Sequence, residues 1–116
     1  MKLQKLRNSR QFRRVYDQGQ RFHTPHFSAF ILGTGSQEHR VGITVTRKVG
    51  NAVLRNRCKR RLRVILRKIL GPAPADLPGY DLVLNAKHAL ADAPFDEIEA
   101  GFVRLMARYH ESLRKQ

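Results

Sequence analysis

The residues best suited to chemistry in this sequence are the arginines and lysines between Asn51 and Leu70. This segment carries eight basic side chains and no acidic one. Guanidinium groups donate paired hydrogen bonds to phosphate oxygens, so a surface dominated by arginine is typical of nucleic-acid binding. The segment therefore predicts binding to a polyanion.

The groups that usually catalyse reactions are scattered along the chain. Five histidines lie at separate points, and seven of the nine acidic residues follow residue 75. Their spacing indicates no catalytic dyad or triad and no metal-binding set. We therefore predict that this chain has no catalytic residue, no metal ligand and no organic cofactor of its own.

Cys58 is the single cysteine. One thiol forms neither an internal disulfide nor a multi-thiolate zinc site, which excludes a secreted disulfide scaffold and a zinc finger. No apolar run approaches the roughly 18 residues needed to span a bilayer, and the first residues do not resemble a signal peptide. We expect a cytoplasmic protein without a membrane partner.

The charge balance favours a nucleic acid as the partner. The 116 residues carry a net charge of +14, and residues 1–75 hold 18 of the 23 basic residues but only two acids. Ordinary surfaces mix both signs, so a one-sided excess of this size indicates a surface for a polyanion. The length suits one domain, and we predict a single nucleic-acid-binding domain over residues 1–116.

The basic segment is predicted to be a helix from Asn51 to Leu70, ended by Gly71. Helical spacing places one apolar stripe against a core: Leu54, Cys58, Leu62, Ile65 and Ile69. The opposite side is polar, with Asn56, Arg60, Arg63 and Arg67 at its centre and Arg55, Arg57, Lys59, Arg61 and Lys68 beside them. A membrane-surface helix usually carries aromatic residues in its stripe, and this stripe has none.

Other elements must position this helix. Ser9 is the predicted N-cap of a first helix that ends near Gln18. Alternating residues predict strands over 27–32 and 40–46, paired antiparallel, a third strand over 80–86, and an uncertain edge strand over 21–26. The Pro- and Gly-rich residues 71–79 predict neither helix nor strand, and a last helix over 94–113, capped by Asp92, packs one stripe on the core.

The segment Arg40–Arg63, RVGITVTRKVGNAVLRNRCKRRLR, resembles the signature of the bacterial ribonuclease P protein component, including its Arg-Asn-Arg motif. The resemblance extends to Ser9–Tyr16 and Leu77–Val83. It implies an α+β fold: a single-domain α/β sandwich with a mixed sheet of about four strands, three helices and a left-handed βαβ crossover.

The same resemblance implies the function. The family's protein is an accessory subunit of an endoribonuclease that removes the 5′ leader of precursor tRNA, while the RNA subunit holds the catalytic Mg²⁺. Binding to that RNA maps to the basic helix: Arg55, Asn56, Arg57, Lys59, Arg60, Arg63 and Arg67. Binding to the leader maps to Phe12 and Tyr16 on the first helix, Phe30 on the first predicted strand, and Thr44, Thr46 and Lys48 on the second.

The residues themselves leave two alternatives. A ribosomal or other structural RNA-binding protein would share the size and charge. A nuclease acting alone would need a cluster of acids or histidines, which the sequence lacks. We expect the partners to be ribonuclease P RNA and precursor tRNA, with no obligatory protein partner.

Overall fold

The computed structural model describes residues 1–74 and 77–115. Within them, five strands and three α-helices follow one another along the chain. Their order is β1 (Leu3–Lys5), α1 (Ser9–Gln18), β2 (Gln20–His23), β3 (Phe27–Gly33), β4 (His39–Thr44), α2 (Ala52–Leu70), β5 (Tyr80–Ala86) and α3 (Phe95–Arg114). Two short 3-10 helices, Arg47–Val49 and His88–Leu90, precede α2 and α3.

The five strands form one mixed sheet in the order β1-β4-β5-β3-β2. β4 is parallel to both β1 and β5, whereas β3 is antiparallel to β5 and β2. Helix α2 therefore lies in a crossover between the parallel neighbours β4 and β5. The left-handed sense of this crossover stays an expectation from the resemblance.

The predicted antiparallel pairing of the strands now named β3 and β4 is wrong, because β5 lies between them. The first five residues of β5 are all buried. A strand that buries both of its faces is most stable at the centre of a sheet, where helices cover it on each side. The turn-like residues 33–36 suggested a hairpin, but burial of β5 decided the strand order.

The number and limits of the edge strands also differ from the prediction. β1 was missed because it has three residues and no alternating apolar pattern. The uncertain edge strand is confirmed as β2, but it ends at His23, where the Thr24 hydroxyl accepts hydrogen bonds from the next turn. β4 ends at Thr44, two residues earlier than expected.

Helices pack on both faces of the sheet. α2 and α3 cover one face, where the main core contains Phe27, Leu62, Leu82 and Phe102. α1 covers part of the other face over a smaller core of Leu6, Val15 and Val83. This arrangement confirms the α+β sandwich with three helices, and the last helix packs on the core as its stripe predicted.

Two predicted helix caps are wrong. Asn8, not Ser9, caps α1, because the Asn8 side chain accepts a hydrogen bond from the Gln11 amide while the Gln11 side chain bonds back to the Asn8 amide. Pro94 occupies the N-cap of α3 without a side-chain hydrogen bond. Asp92 lies outside that helix, with an oxygen 4.0 Å from Arg57 Nη1.

The Pro- and Gly-rich connection after α2 contains neither helix nor strand in its described residues, 71–74 and 77–79. Part of the prediction for residues 71–79 lies outside the described residues. Over the described part of the chain, no helix is both long and apolar enough to cross a membrane.

A buried ion pair joins β4 to β5 on the face that carries α1. Arg40 Nε and Nη2 donate to the two Asp81 carboxylate oxygens at 2.8 and 2.7 Å. The Asp81 side chain is 1% exposed, whereas that of Arg40 is 23% exposed. The hydrogen bond to Asp81 raises the pKa of the Arg40 guanidinium above its ordinary value.

This difference in burial predicts unequal effects of the two truncations. Arg40→Ala leaves a carboxylate without its partner in the interior and should lower the free energy of unfolding by about 3–5 kcal/mol. Asp81→Ala should cost less, because the remaining guanidinium can reach water. Urea denaturation of both variants, with Arg40→Met/Asp81→Leu as a control that removes both charges, measures the difference. Equal losses in the two single variants would contradict this explanation.

Candidate nucleic-acid interface

The buried stripe of α2 fixes which side of the helix faces solvent. Cys58, Leu62 and Ile65 are fully buried, and Leu66 and Leu70 nearly so. Asn51 caps the helix by accepting a hydrogen bond from the Leu54 amide at 3.0 Å. The predicted packing stripe is therefore confirmed, and Leu66 and Leu70 widen it. Burial raises the pKa of the Cys58 thiol, as expected for a packing residue.

The other side of α2 forms a basic face. We use this name for six residues: Asn56, Arg57, Lys59, Arg60, Arg63 and Arg67. All are exposed except Lys59, which is half-buried. Within the described chain, only Arg57 among them has a carboxylate oxygen within 4.0 Å. Most of the positive charges on this face therefore have no counter-charge among the described residues.

Two neighbouring arginines have structural hydrogen bonds. Arg55 Nη1 donates to the Gly50 carbonyl at 2.9 Å, which ties α2 to the turn before it. Arg61 donates to the carbonyls of Leu90, Ala91 and Ala93 at 2.7, 2.9 and 2.5 Å. The first arginine of the Arg-Asn-Arg motif is therefore half-buried and engaged, whereas Asn56 and Arg57 point to solvent.

An aromatic groove lies between α1 and the sheet, lined by Phe12, Tyr16, Phe30 and Thr44. The Tyr16 hydroxyl lies 3.0 Å from Thr44 Oγ1 and donates to Asn85 Oδ1 at 2.9 Å. The rings of Tyr16 and Phe30 meet edge to face with their centroids 4.9 Å apart. These contacts hold α1 over β4, β5 and β3 at one end of the sheet.

The groove is open to solvent. A cavity of about 480 Å³ lies along it, bounded by α1 and Thr44. Phe12, Tyr16 and Phe30 are each half-buried, and the Arg21 guanidinium lies over the Phe30 ring, 5.3 Å from its centroid. The part of the groove beside Phe12, Tyr16 and Thr44 is therefore left open by the protein's own side chains.

Gly42 explains how Phe12 reaches the sheet. A Cβ atom on Gly42 would lie 2.5 Å from the end of the Phe12 ring, so the ring packs directly on the β4 backbone. Gly42 and Thr44 lie on the face of β4 that meets α1, whereas Val41 and Ile43 lie on the opposite face against the main core.

Thr46 and Lys48 were expected on the second predicted strand, but neither of them lies on β4. Thr46 follows the end of β4 as the N-cap of the 3-10 helix, and Lys48 lies within that helix. Both side chains are exposed. The chain leaves the sheet after Thr44 to begin the crossover toward α2, which ends the alternation on which their placement depended.

Three further polar residues continue the groove across the sheet. The strand register places Thr44, Asn85, Ser28 and His23 in one row on the α1 face. Ser28 Oγ lies 3.2 Å from His23 Nδ1. Desolvation, together with the charges of Arg21 and Lys87, lowers the pKa of His23. Alternation along β5 could have indicated Asn85, but only the strand order reveals the row.

Within residues 1–74 and 77–115, no three His, Cys, Asp or Glu side chains come together as a metal site would require. The chemistry offered by the basic face and the aromatic groove is binding: cations for phosphates, and aromatic rings and hydroxyls for an unpaired strand.

Solved structures with this arrangement define the class of protein. The fold is similar to the RNase P protein of Staphylococcus aureus, with a TM-score of 0.76, 25% identity and coverage of 93% of this chain and 96% of that one. It is equally similar to the RNase P protein from Thermotoga maritima, with a TM-score of 0.76, 28% identity and coverage of 90% and 96%.

Sequence comparison agrees with the structural class. The family model described as Ribonuclease P matches residues 1–110. The ribonuclease P protein component of Natranaerobius thermophilus is 38% identical over 100 residues, covering 86% of this chain and 84% of the relative. That of Clostridioides difficile is 36% identical and covers 89% of both chains. The chain belongs to the ribonuclease P protein component family of bacteria, so the predicted resemblance is confirmed.

The hydroxyl of Tyr16 is expected to stabilise the fold separately from any role of its ring. Tyr16→Phe keeps the ring and removes the bonds to Thr44 and Asn85, and should lower the free energy of unfolding by about 1–2 kcal/mol. Urea denaturation measures the loss, and Tyr16→Phe/Thr44→Val is the matched control, since it removes both hydroxyls that meet at 3.0 Å. An unchanged midpoint for Tyr16→Phe would show that water replaces these bonds at no cost.

Proposed function

We propose that this chain is the subunit of ribonuclease P that binds the catalytic RNA through the basic face and the 5′ leader of precursor tRNA in the aromatic groove. The observation that carries this proposal is the presence of both surfaces on one small domain of this family. Thr46 and Lys48, both exposed where the chain leaves β4, would add contacts to the leader beyond Thr44. We place this work in the cytoplasm.

The basic face supports binding to a folded RNA. Its arginines present forked donors to phosphates, and Arg60, Arg63 and Arg67 have no carboxylate within 4.0 Å in the described chain. Double-stranded RNA hides its base edges in a deep groove, so contacts to backbone and shape dominate. Release of counterions from the RNA then drives much of the affinity and makes it depend on salt.

The aromatic groove supports binding to a single strand. Its half-buried rings can stack on bases without reading their sequence. Its hydroxyls and the exposed Lys48 can meet sugars and phosphates. Mature tRNA lacks a leader, so it leaves the groove empty and forgoes these contacts. The protein thereby favours the precursor over the product.

In this proposal the chemistry belongs to the RNA subunit. The Mg²⁺ ions would be held by that RNA, and they would supply activation of water and stabilisation of the leaving oxygen during hydrolysis of the phosphodiester. This chain contributes position and charge: it holds the leader beside the catalytic RNA and offsets repulsion between their phosphates. The purified protein without RNA is expected to leave precursor tRNA uncleaved, and cleavage by it alone would overturn this division.

The groove is tested by truncating its rings. With the cognate RNA subunit at low Mg²⁺, Phe12→Ala/Tyr16→Ala should weaken binding of precursor tRNA about tenfold or more, because two stacking surfaces are lost. Binding of mature tRNA should be unchanged. Unchanged precursor affinity in the folded double variant would refute the leader assignment. Circular dichroism confirms folding, and Tyr16→Phe, which keeps the ring, is the control.

The basic face is tested by its salt dependence. Arg60→Ala/Arg63→Ala should weaken binding to the RNA subunit and lower the slope of log affinity against log salt by about 2. Arg114→Ala/Lys115→Ala removes the same charge from the exposed end of α3 and should leave the slope nearly unchanged. A filter-binding titration at several salt concentrations measures both. Equal effects of the two pairs would show that net charge alone governs binding.

A further inference from the structure

A second cavity, of about 550 Å³, opens at the edge of the sheet between α1 and α2. β1 pairs with β4 only as far as Lys5 opposite Val41. Among the strands of the described chain, none therefore covers this edge of β4 from Gly42 onward. Gly42 and Ile43 line the cavity at this open edge.

The walls of this edge cavity are apolar and its rim is basic. The apolar lining comes from both layers around the sheet edge: Leu3, Leu6, Phe12, Val41, Ile43 and Leu66. The basic lining is Lys5, Lys59, Arg63 and Arg67. The last three follow one another at four-residue spacing, so they form a row along α2. Among the residues that the structure describes, no acidic one lines the cavity.

The open edge also offers peptide groups. The Leu6 amide donates to the Val41 carbonyl at 2.9 Å, so Val41 directs its peptide groups toward the β1 side. Alternate residues of a strand direct their N–H and C=O groups to the same side, and Ile43 therefore does so beyond the end of β1. A planar ring entering between the apolar walls would find a donor and an acceptor at its edge.

We propose that the edge cavity binds one unstacked nucleotide of the catalytic RNA. Its base enters between Leu6, Phe12 and Leu66, and its phosphate meets the row of cations on α2. Pockets of about 300–1,000 Å³ accommodate ligands of this size, and unstacked bases are the parts of RNA that proteins read directly. The inference rests on the proposed function and assigns the nucleotide to the RNA subunit, because the basic face supplies the rim.

Phe12 gives this site a second consequence. Its ring lines both the edge cavity and the aromatic groove. A base packed on one side of the ring would therefore support the surface that the leader meets on the other side.

The first test uses a single nucleotide. Adenosine 5′-monophosphate added to the ¹⁵N-labelled protein should shift the backbone amide signals of Gly42 and Ile43, and ribose 5-phosphate at the same concentration should not. Equal shifts with both compounds would mean that only phosphate binds, and would overturn the proposal. So would shifts confined to Tyr16 and Thr44, because the base would then occupy the aromatic groove.

The second test fills the cavity without changing charge. Gln4 is exposed and lines the cavity, so Gln4→Trp should obstruct it and raise the Kd for the RNA subunit about tenfold, the effect of losing one stacked base. Ala107→Trp, which places a tryptophan on the exposed side of α3 away from the cavity, should bind as the unmodified protein does. An unchanged Kd for Gln4→Trp would overturn the cavity assignment while leaving the proposed function intact. Failure of the unmodified protein to bind the RNA subunit would overturn both.

Discussion

The two surfaces that we propose to bind RNA depend on the burial of β5 between two layers of helices. Tyr80, Leu82 and Leu84 point into the main core that receives α2 and α3. Asp81 and Val83 point to the other face, where they meet Arg40 and the smaller core under α1. Because β5 contacts the helices on both faces, its position determines where α2 packs on one face of the sheet and where α1 packs on the other. The basic face and the aromatic groove are consequences of that single placement.

Because carboxylates are scarce, several lysine and arginine side chains bond to backbone carbonyls instead of forming ion pairs. With nine acids for 23 lysines and arginines, most cations cannot form ion pairs within the chain. Several that are held donate instead to backbone carbonyls: Arg55 to Gly50, Arg61 to the loop before α3, and Lys87 to Thr24. Carbonyl groups leave the positive charge uncompensated, so these residues organise the loops and still add to the field of the protein.

Much of the protein's organisation followed from local patterns in the sequence. The stripe through Cys58, Leu62 and Ile65 predicted the buried side of α2, whereas the placement of Thr44 near the first helix came from the family resemblance. The strands 27–32 and 80–86 were located to within one residue, because alternation and bounding turn residues are local signals. The caps at Asn8 and Pro94 were misassigned, because several nearby residues could serve and the surrounding chain decided among them.

The sequence by itself determined the family, the α+β class and the basic helix, since these depend on residue types at short spacing. The tertiary structure decided the strand order, because the apolar residues of β5 would suit several partners and only packing from both sides selects the centre. It also decided which arginines of α2 have no carboxylate nearby in the described chain. The row of polar side chains from Thr44 to His23 and the edge cavity beyond Lys5 likewise depend on the tertiary structure. Each of these joins residues that are far apart in the chain, and no pattern within one segment specifies their distance.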